Sequence, residues 1–405
     1  MIDAASPMSA PHGAEILEVG PPPAPGHDPS MGVIAACFLV GTVALMILGV
    51  QPVLLEALTS AHRLSNAEVG PLATVEDLAL AFGAAVGPAW MRRGGIRAKA
   101  VALSLMLTGA HLGIYLADST LLLDMFRGVA GLLEGLTLSA ALVILIHHSQ
   151  PDRVNGAFLG LSTLPQALMA FAVPAWITPR LGEGGGFVVL AGLSLISAGT
   201  ALFLPSRAGG PDAQSTARTR WTAPILLTLG AVALQNAAIG GAWNYLPLLV
   251  DQHHFAPILG GVAVAGGLVF QVAGAGAVAA WGGRFPYRPA LIAGALCQTC
   301  VIVALALAGA PWLFVVPALL FGLFWLAMSP FQVRLLIALD PSRGAAMLLT
   351  AVTLVGLSLG PAVSAIGVHG ARVTGALSIA AVMMALACAL YVIVAMVSRT
   401  RPRAA

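Results

Sequence analysis

Charge is what this sequence has least of: Asp, Glu, Lys and Arg make up 9% of its 405 residues, against about 25% in soluble domains. A soluble enzyme or nucleic-acid-binding protein of this size could not cover its surface with so few, and both classes are excluded. Lysine is nearly missing, with Lys99 the single one among 19 basic residues. Cysteine is sparse as well: Cys37, Cys297, Cys300 and Cys388 all fall in apolar runs. The Cys297 and Cys300 spacing lacks a second ligand pair, so buried thiols are expected rather than a disulfide or a metal site. No phosphate-binding glycine loop is present, which argues against an ATP-driven pump. No nucleophile or metal set converges, which argues against an enzyme, and no cofactor is expected. Residues 1–30 contain no Lys or Arg, so they lack the basic start of a signal peptide and read as a disordered tail.

What the sequence does have is apolar length. Hydrophobic residues are 59% of the chain, and a bilayer-crossing helix needs about 20 of them in a row. Pro, Gly, Arg and Asp divide residues 31–398 into roughly twelve such runs. The expected fold is an all-α membrane protein. The polar stretch 206–222 splits it into six helices over 31–205 and six over 223–398, with 399–405 as a second tail. The halves repeat: Trp90 and Trp281, Arg97 and Arg288, and Gly131 and Gly322 each lie 191 positions apart, and Arg153 and Arg343 lie 190 apart. Internal repetition of this kind marks a transporter architecture of two related bundles. Fourteen basic residues fall on the side of both termini and the central stretch, against Arg63, Arg180 and Arg372 on the other. Both termini are therefore expected in the cytoplasm of a bacterial inner membrane.

The run from Leu121 to Ile146 sets Asp124, Arg127 and Glu134 inside a helix, the last two seven positions apart and so on one face. Charge at that depth costs ~2.5 kcal/mol or more per group unless it faces a bundle interior or wet cavity. Glu76 and Asp77 lie at mid-span in the second helix, pointing about 100 degrees apart, and are not expected to share one environment. A buried carboxylate near an arginine can be tipped either way by access to water, so Glu134 is the leading proton carrier, with Glu76 second. A static Arg127–Glu134 pair holding helices together is the competing reading. His111, alone in the third helix, reads as a packing or hydrogen-bonding residue. Neutral amides and aromatics dominate elsewhere: Gln51, Gln166, Gln235, Asn236, Trp243, Asn244, Gln271, Trp325 and Gln332 are expected to line a cavity for a small organic solute, aromatic or amphiphilic.

Twelve helices in two repeated halves resemble the major facilitator superfamily over residues 31–398. Gly87-Pro-Ala-Trp-Met91-Arg92-Arg93-Gly94 is similar to the family's connection between helices 2 and 3, with Met91 where an aspartate is usual, and Arg284 falls in the looser second copy. The resemblance implies a cytoplasmic gate at Gly87, Arg92, Arg93, Gly94 and Arg284, and the methionine places its usual charge relay in question. Arg127, Gly131 and Gly135 resemble the family's helix 4 motif, whose arginine is implicated in proton transfer. Gly356-Leu-Ser-Leu-Gly360-Pro361 resembles a glycine-proline pattern of exporters. The resemblance implies a proton-coupled secondary transporter, monomeric, working by alternating access on a small-molecule substrate with no nucleic-acid partner. A facilitative uniporter or a non-transporting receptor or scaffold of the same fold stays open.

Overall fold

A computed structural model of the chain describes residues 28–207, 221–340 and 342–397. The tail expected before residue 28, most of the central stretch with Arg218 and Arg220, and the tail from 399 lie outside the described residues. Eleven described helices are long and apolar enough to cross a bilayer, and Gly185–Ala201 is a shorter apolar helix among them. In chain order they are α1 (Met31–Ser60), α2 (Val69–Met91), α3 (Ile96–Leu116), α4 (Thr120–Leu145), α5 (Pro151–Ala172, prolonged through a π turn at Val173–Ile177 to Leu181), α6 (Gly185–Ala201), α7 (Ala223–Gln252), α8 (Ile258–Trp281), α9 (Tyr287–Ala306), α10 (Pro311–Ala327 and, beyond Met328, Ser329–Leu339), α11 (Gly344–Met347 and Leu349–Ala365) and α12 (Thr374–Val397).

These elements follow from the medium. Backbone N–H and C=O groups find no partner in hydrocarbon, so each apolar run closes its own hydrogen bonds as a helix. Breaks fall where the sequence supplies turn chemistry. Gly94 and Gly95 take φ of 84° and 71° between α2 and α3, a left-handed conformation open mainly to glycine. Ser119 Oγ accepts from Leu122 N at 3.3 Å and caps α4. At the start of α1, Ser149 donates its N–H and hydroxyl to Asp28 at 2.8 and 2.7 Å. Those two bonds hold the Asp28 carboxyl below its usual pKa.

The repeat is legible in the contacts. At Gly131 of α4 the α-carbon stands against the carbonyl of Glu76 in α2, and at Gly322 of α10 against the carbonyl of Gly267 in α8. Gly83 meets the Leu132 carbonyl, and Gly274 meets that of Leu323. Every one of these positions maps onto its counterpart at an offset of 191. A Cβ at any of them would collide with backbone, so glycine is what lets α2 lie on α4 and α8 on α10.

The two bundles meet by the same rule. Gly70 of α2 abuts the Pro361 carbonyl and Ala365 of α11, while Gly261 of α8 abuts the Ala170 carbonyl of α5 and Pro174. Both seams sit towards the ends of the helices away from the N-terminus. Three of the hydrogen bonds that cross between bundles sit there too: Gly70 N donates to Tyr245 OH at 3.1 Å, Ala362 N to Thr74 Oγ1 at 3.1 Å and Asn66 Nδ2 to Gly370 O at 3.3 Å. At the opposite end, Arg97 Nε bonds Leu204 O at 2.7 Å and Lys99 Nζ bonds Trp90 O at 2.7 Å, both within the first bundle.

One expectation about burial is corrected. Cys297 and Cys300 are exposed on α9, Cys388 is half-buried and only Cys37 is buried. An apolar run does not distinguish a lipid-facing side from a core-facing one, because lipid tails are as apolar as leucine.

Candidate functional site: a buried charge cluster in the first bundle

The glycine contacts of α2 with α4 bring Glu76 and Arg127 face to face. The two form an ion pair with both side chains fully buried. Gln51 of α1 donates its Nε2 to Glu76 Oε2 at 3.2 Å. Asp77 is buried in the same cluster with its Oδ1 unbonded among the described residues, and Gln51 stands beside it as well. Glu76 and Asp77 therefore do share surroundings, because the Gln51 side chain of α1 reaches both of them where α2 packs on Arg127 of α4.

Arg127 does not pair with Glu134. Seven residues put two side chains on one helix face but separate them by about 10 Å along the axis, too far for an ion pair. Glu134 instead faces α3, with Oε1 at 3.5 Å from His111 Nε2. His111 Nδ1 lies 3.2 Å from Ser194 Oγ of α6. The ring of Phe187, also on α6, lies 5.8 Å from the Arg127 guanidinium carbon. Arg127 Nε and Nη1, Glu76 Oε1, Glu134 Oε2 and Thr137 Oγ1 are buried without a hydrogen-bond partner among the described residues. Unsatisfied polar atoms at this density are rare in folded proteins. Asp124, by contrast, is half-buried in the second turn of α4 and stands apart from the cluster.

At the offset of 191, the second bundle carries Gly267, Leu268, Ile302, Ala318 and Trp325 where the first has Glu76, Asp77, His111, Arg127 and Glu134. Its own buried polar groups form a separate neutral network. Gln332 Nε2 donates to Gln235 Oε1 at 2.9 Å and to Tyr391 OH at 3.0 Å, and Tyr391 OH donates to Gln235 Oε1 at 2.8 Å. Gln235 Nε2 reaches Met328 Sδ at 3.1 Å. Tyr391 was not legible as a member, since a tyrosine in the last apolar helix looks like an interface anchor.

The nine residues expected to line one cavity are thus divided among several environments. Gln51 belongs to the charge cluster, and Gln235 and Gln332 to the amide network. Gln166 packs its side chain into the notch at Gly49 of α1. Trp243 stacks on Phe321 with centroids 6.3 Å apart, meets Trp325 edge-on at 5.4 Å, and donates Nε1 to Leu48 O across the bundle interface at 3.1 Å. Asn236 and Asn244 turn their amides back to the carbonyls of Val232 and Gly240, at 2.9 and 3.0 Å. Gln271 keeps 7% exposure. A buried amide satisfies itself inside its own bundle before it can serve a solute, and linear sequence does not say which neighbour it will find.

Of the expected gate, Gly87 packs on Ser139 of α4, Gly94 forms the turn, and Arg92, Arg93 and Arg284 are exposed. Met91 is fully buried. Arg334 does the clamping in the second bundle, donating Nη1 to the carbonyls of Gly282 and Phe285 at 2.9 and 3.2 Å. In α11, Gly356 and Gly360 abut the carbonyls of Ala233 and Ala237 in α7, so the glycine-proline pattern serves close packing there.

Comparison with solved structures fits this geometry. A bacterial homolog of the human lysosomal transporter Spinster, inward-facing and unoccupied, superposes with a TM-score of 0.72 at 15% identity, over 92% of this chain and 98% of that one. The chain has the major facilitator fold. The occupied inward-facing form of the same homolog gives 0.70 at 16% identity, over 92% and 98% of the two chains. The nucleoside transporter NupG gives 0.67 at 11% identity, over 90% and 99%. No protein-family model and no curated protein matches the sequence.

Proposed function

We propose that this chain is a secondary active transporter of a small organic solute, driven by protons bound in its first bundle and working by alternating access between its two halves. The observation that carries the reading is the one-sided charge cluster of Glu76, Asp77, His111, Arg127 and Glu134. Buried ionisable groups in a membrane are costly, and they accompany ion or proton pathways. The mirror positions of the second bundle are all non-ionisable, so that half is suited to holding solute against aromatic and amide surface while the first half binds the coupling ion.

The excess of basic residues on the side of both termini supports a cytoplasmic location for them, and on that reading the seams at Gly70 and Gly261 close the outer side. The state described here is inward-facing on that reading, as are the two forms of the Spinster homolog it resembles. An aromatic or amphiphilic solute, moved outward by a monomer in a bacterial inner membrane, suits Trp243, Phe321 and Trp325. The NupG likeness adds nucleosides to the panel of candidates.

The test begins with thermal unfolding of the purified protein against aromatic anions, lipophilic cations, nucleosides, sugars and amino acids. A true ligand at ~100 times its Kd adds about 2.7 kcal/mol of stability. The stabilising solute is then followed into proteoliposomes under an imposed pH gradient. Glu134→Gln is expected to retain the thermal shift and lose gradient-driven accumulation. Accumulation at the native level in that variant sinks the proton-carrier role, and solute-stabilised protein that never moves solute sinks transport altogether.

A further inference from the structure

Ser194 fixes the hydrogen on the ring of His111. A serine hydroxyl has a single proton, and Ser194 Oγ donates it to the Leu190 carbonyl at 2.8 Å, one turn back along α6. Towards His111 it can therefore only accept, so Nδ1, at 3.2 Å, carries a proton. In the neutral imidazole the remaining nitrogen, Nε2, then presents a lone pair to Glu134 Oε1 at 3.5 Å. Two lone pairs do not face each other in a buried site without a proton to share. Either the carboxyl or the ring holds it, and the pair carries one exchangeable proton in both cases.

We propose that His111, positioned by Ser194, is the proton-exchange partner of Glu134, and that protons reach this pair through the seam between α3 and α6 rather than through the space between the bundles. This rests on the reading of Glu134 as a proton carrier. The seam carries buried polar side chains from both helices. Ser104, Ser194 and Ser197 are fully buried, His111 nearly so, and Ser104 Oγ lies 3.1 Å from Ser197 Oγ, two turns from His111 towards the end that holds the N-terminus. Nothing in packing calls for two buried hydroxyls there, and each ties up a polar atom in the bundle interior. The charged and titratable groups around the pair are Glu76 and Asp77 on α2 and Arg127 on α4; α1 contributes the neutral Gln51, and α6 contributes hydroxyls alone.

The transfer balances with water as the final proton acceptor. The Glu134 carboxyl gives its proton to His111 Nε2, forming carboxylate and imidazolium. The imidazolium releases its Nδ1 proton to the Ser194 hydroxyl, whose own proton passes to a water molecule admitted to the seam as the hydroxyl turns from the Leu190 carbonyl. The ring is left neutral in its other tautomer and resets when the next proton arrives.

The pair can be followed without knowing the cargo. Protein in lipid bilayers is moved into heavy water, and the carboxylic C=O stretch that Glu134→Gln removes is tracked as it exchanges hydrogen for deuterium, at acid and neutral pH. His111→Gln keeps an amide donor for Ser194 but cannot relay, and it is expected to slow exchange about a hundredfold, the scale of a positioned proton-transfer group. Ser194→Ala should slow it too, and Ser194→Thr, which restores a hydroxyl, should exchange at the native rate. Thermal unfolding of each variant separates slow exchange from a loosened fold. Native exchange in both His111→Gln and Ser194→Ala, with slowing in Thr137→Val instead, overturns the proposal and moves the route to α4. Absence at every pH of a band that Glu134→Gln removes overturns the proton-carrier reading itself, a different failure.

Discussion

Arg127→Met is expected to lower the stability of the protein by about 3–5 kcal/mol, because it strands the carboxylate of Glu76 in a site with no access to water. Arg127 and Glu76 are both fully buried, and the pair joins α4 to α2, two helices that glycines bring into backbone contact. Glu76→Gln alone strands the guanidinium in the same way. The double variant, Arg127→Met with Glu76→Gln, is expected to recover most of the loss, since Gln51 can still bond an amide at position 76 and the methionine fills part of the arginine volume beside Phe187. Arg127→Lys should not rescue, because an ammonium does not reproduce the planar donor fork. The measurement is thermal unfolding in one detergent for the four members of the cycle. A coupling energy of at least ~2 kcal/mol is expected, and single losses that merely add would show that the pair is not an energetic unit.

That prediction also shows what linear sequence could convey about this site. The cost of mid-membrane charge singled out Arg127, Glu134, Glu76, Asp77 and Asp124; the first four lie buried in one cluster, and Asp124 is half-buried outside it. Their partners were not legible. Heptad spacing reports a shared helix face and is silent about axial distance, so Arg127 and Glu134 read as a pair although two turns of α4 separate them. The true partners, Glu76 for Arg127 and His111 for Glu134, come from α2 and α3, and only the packing of those helices against α4 selects them. Ser194 carried no signal of its own, since a serine in an apolar helix most often bonds its own carbonyl, as this one also does. Gln51 failed for a related reason: its position in the chain says nothing of the carboxylate that α2 brings to it.

The repeat was the most informative feature of the sequence. Four correspondences at a nearly constant offset implied two related bundles, and the same offset relates glycine contacts that no motif pointed to. What it could not convey is which side of the molecule is closed. Inward-facing and outward-facing states share one sequence and differ by the free energy of their two seams, a quantity that residue spacing does not encode.

The seams make that free energy accessible to experiment. At Gly70 the α-carbon of α2 stands against the Pro361 carbonyl and Ala365, and at Gly261 that of α8 stands against the Ala170 carbonyl and Pro174. Pro361 and Ala365 are the counterparts of Ala170 and Pro174 at the offset of 191, so this closure is one contact made twice about the pseudo-two-fold axis. A leucine at either glycine would meet backbone, which cannot move aside as a side chain can. Overpacking of this kind costs about 1–3 kcal/mol. The cost falls only on the state in which the seam is closed, so Gly70→Leu or Gly261→Leu is expected to shift the population towards the outward-open state by about 5- to 150-fold. Asn66 and Arg372 line one cavity across the seam and offer sites for spin labels, as Asn66→Cys and Arg372→Cys. The distance between the labels should lengthen in either leucine variant. Gly192→Leu, placed where a side chain meets open space, should leave it unchanged. The Gly70 N–H donates to Tyr245 OH at the first seam, where the second has Leu54 in the tyrosine's place, so displacing α2 with Gly70→Leu is expected to have the larger effect of the two. Unchanged distances in both would mean that the halves are held by the Trp243 contact with Leu48 and not by the paired glycines.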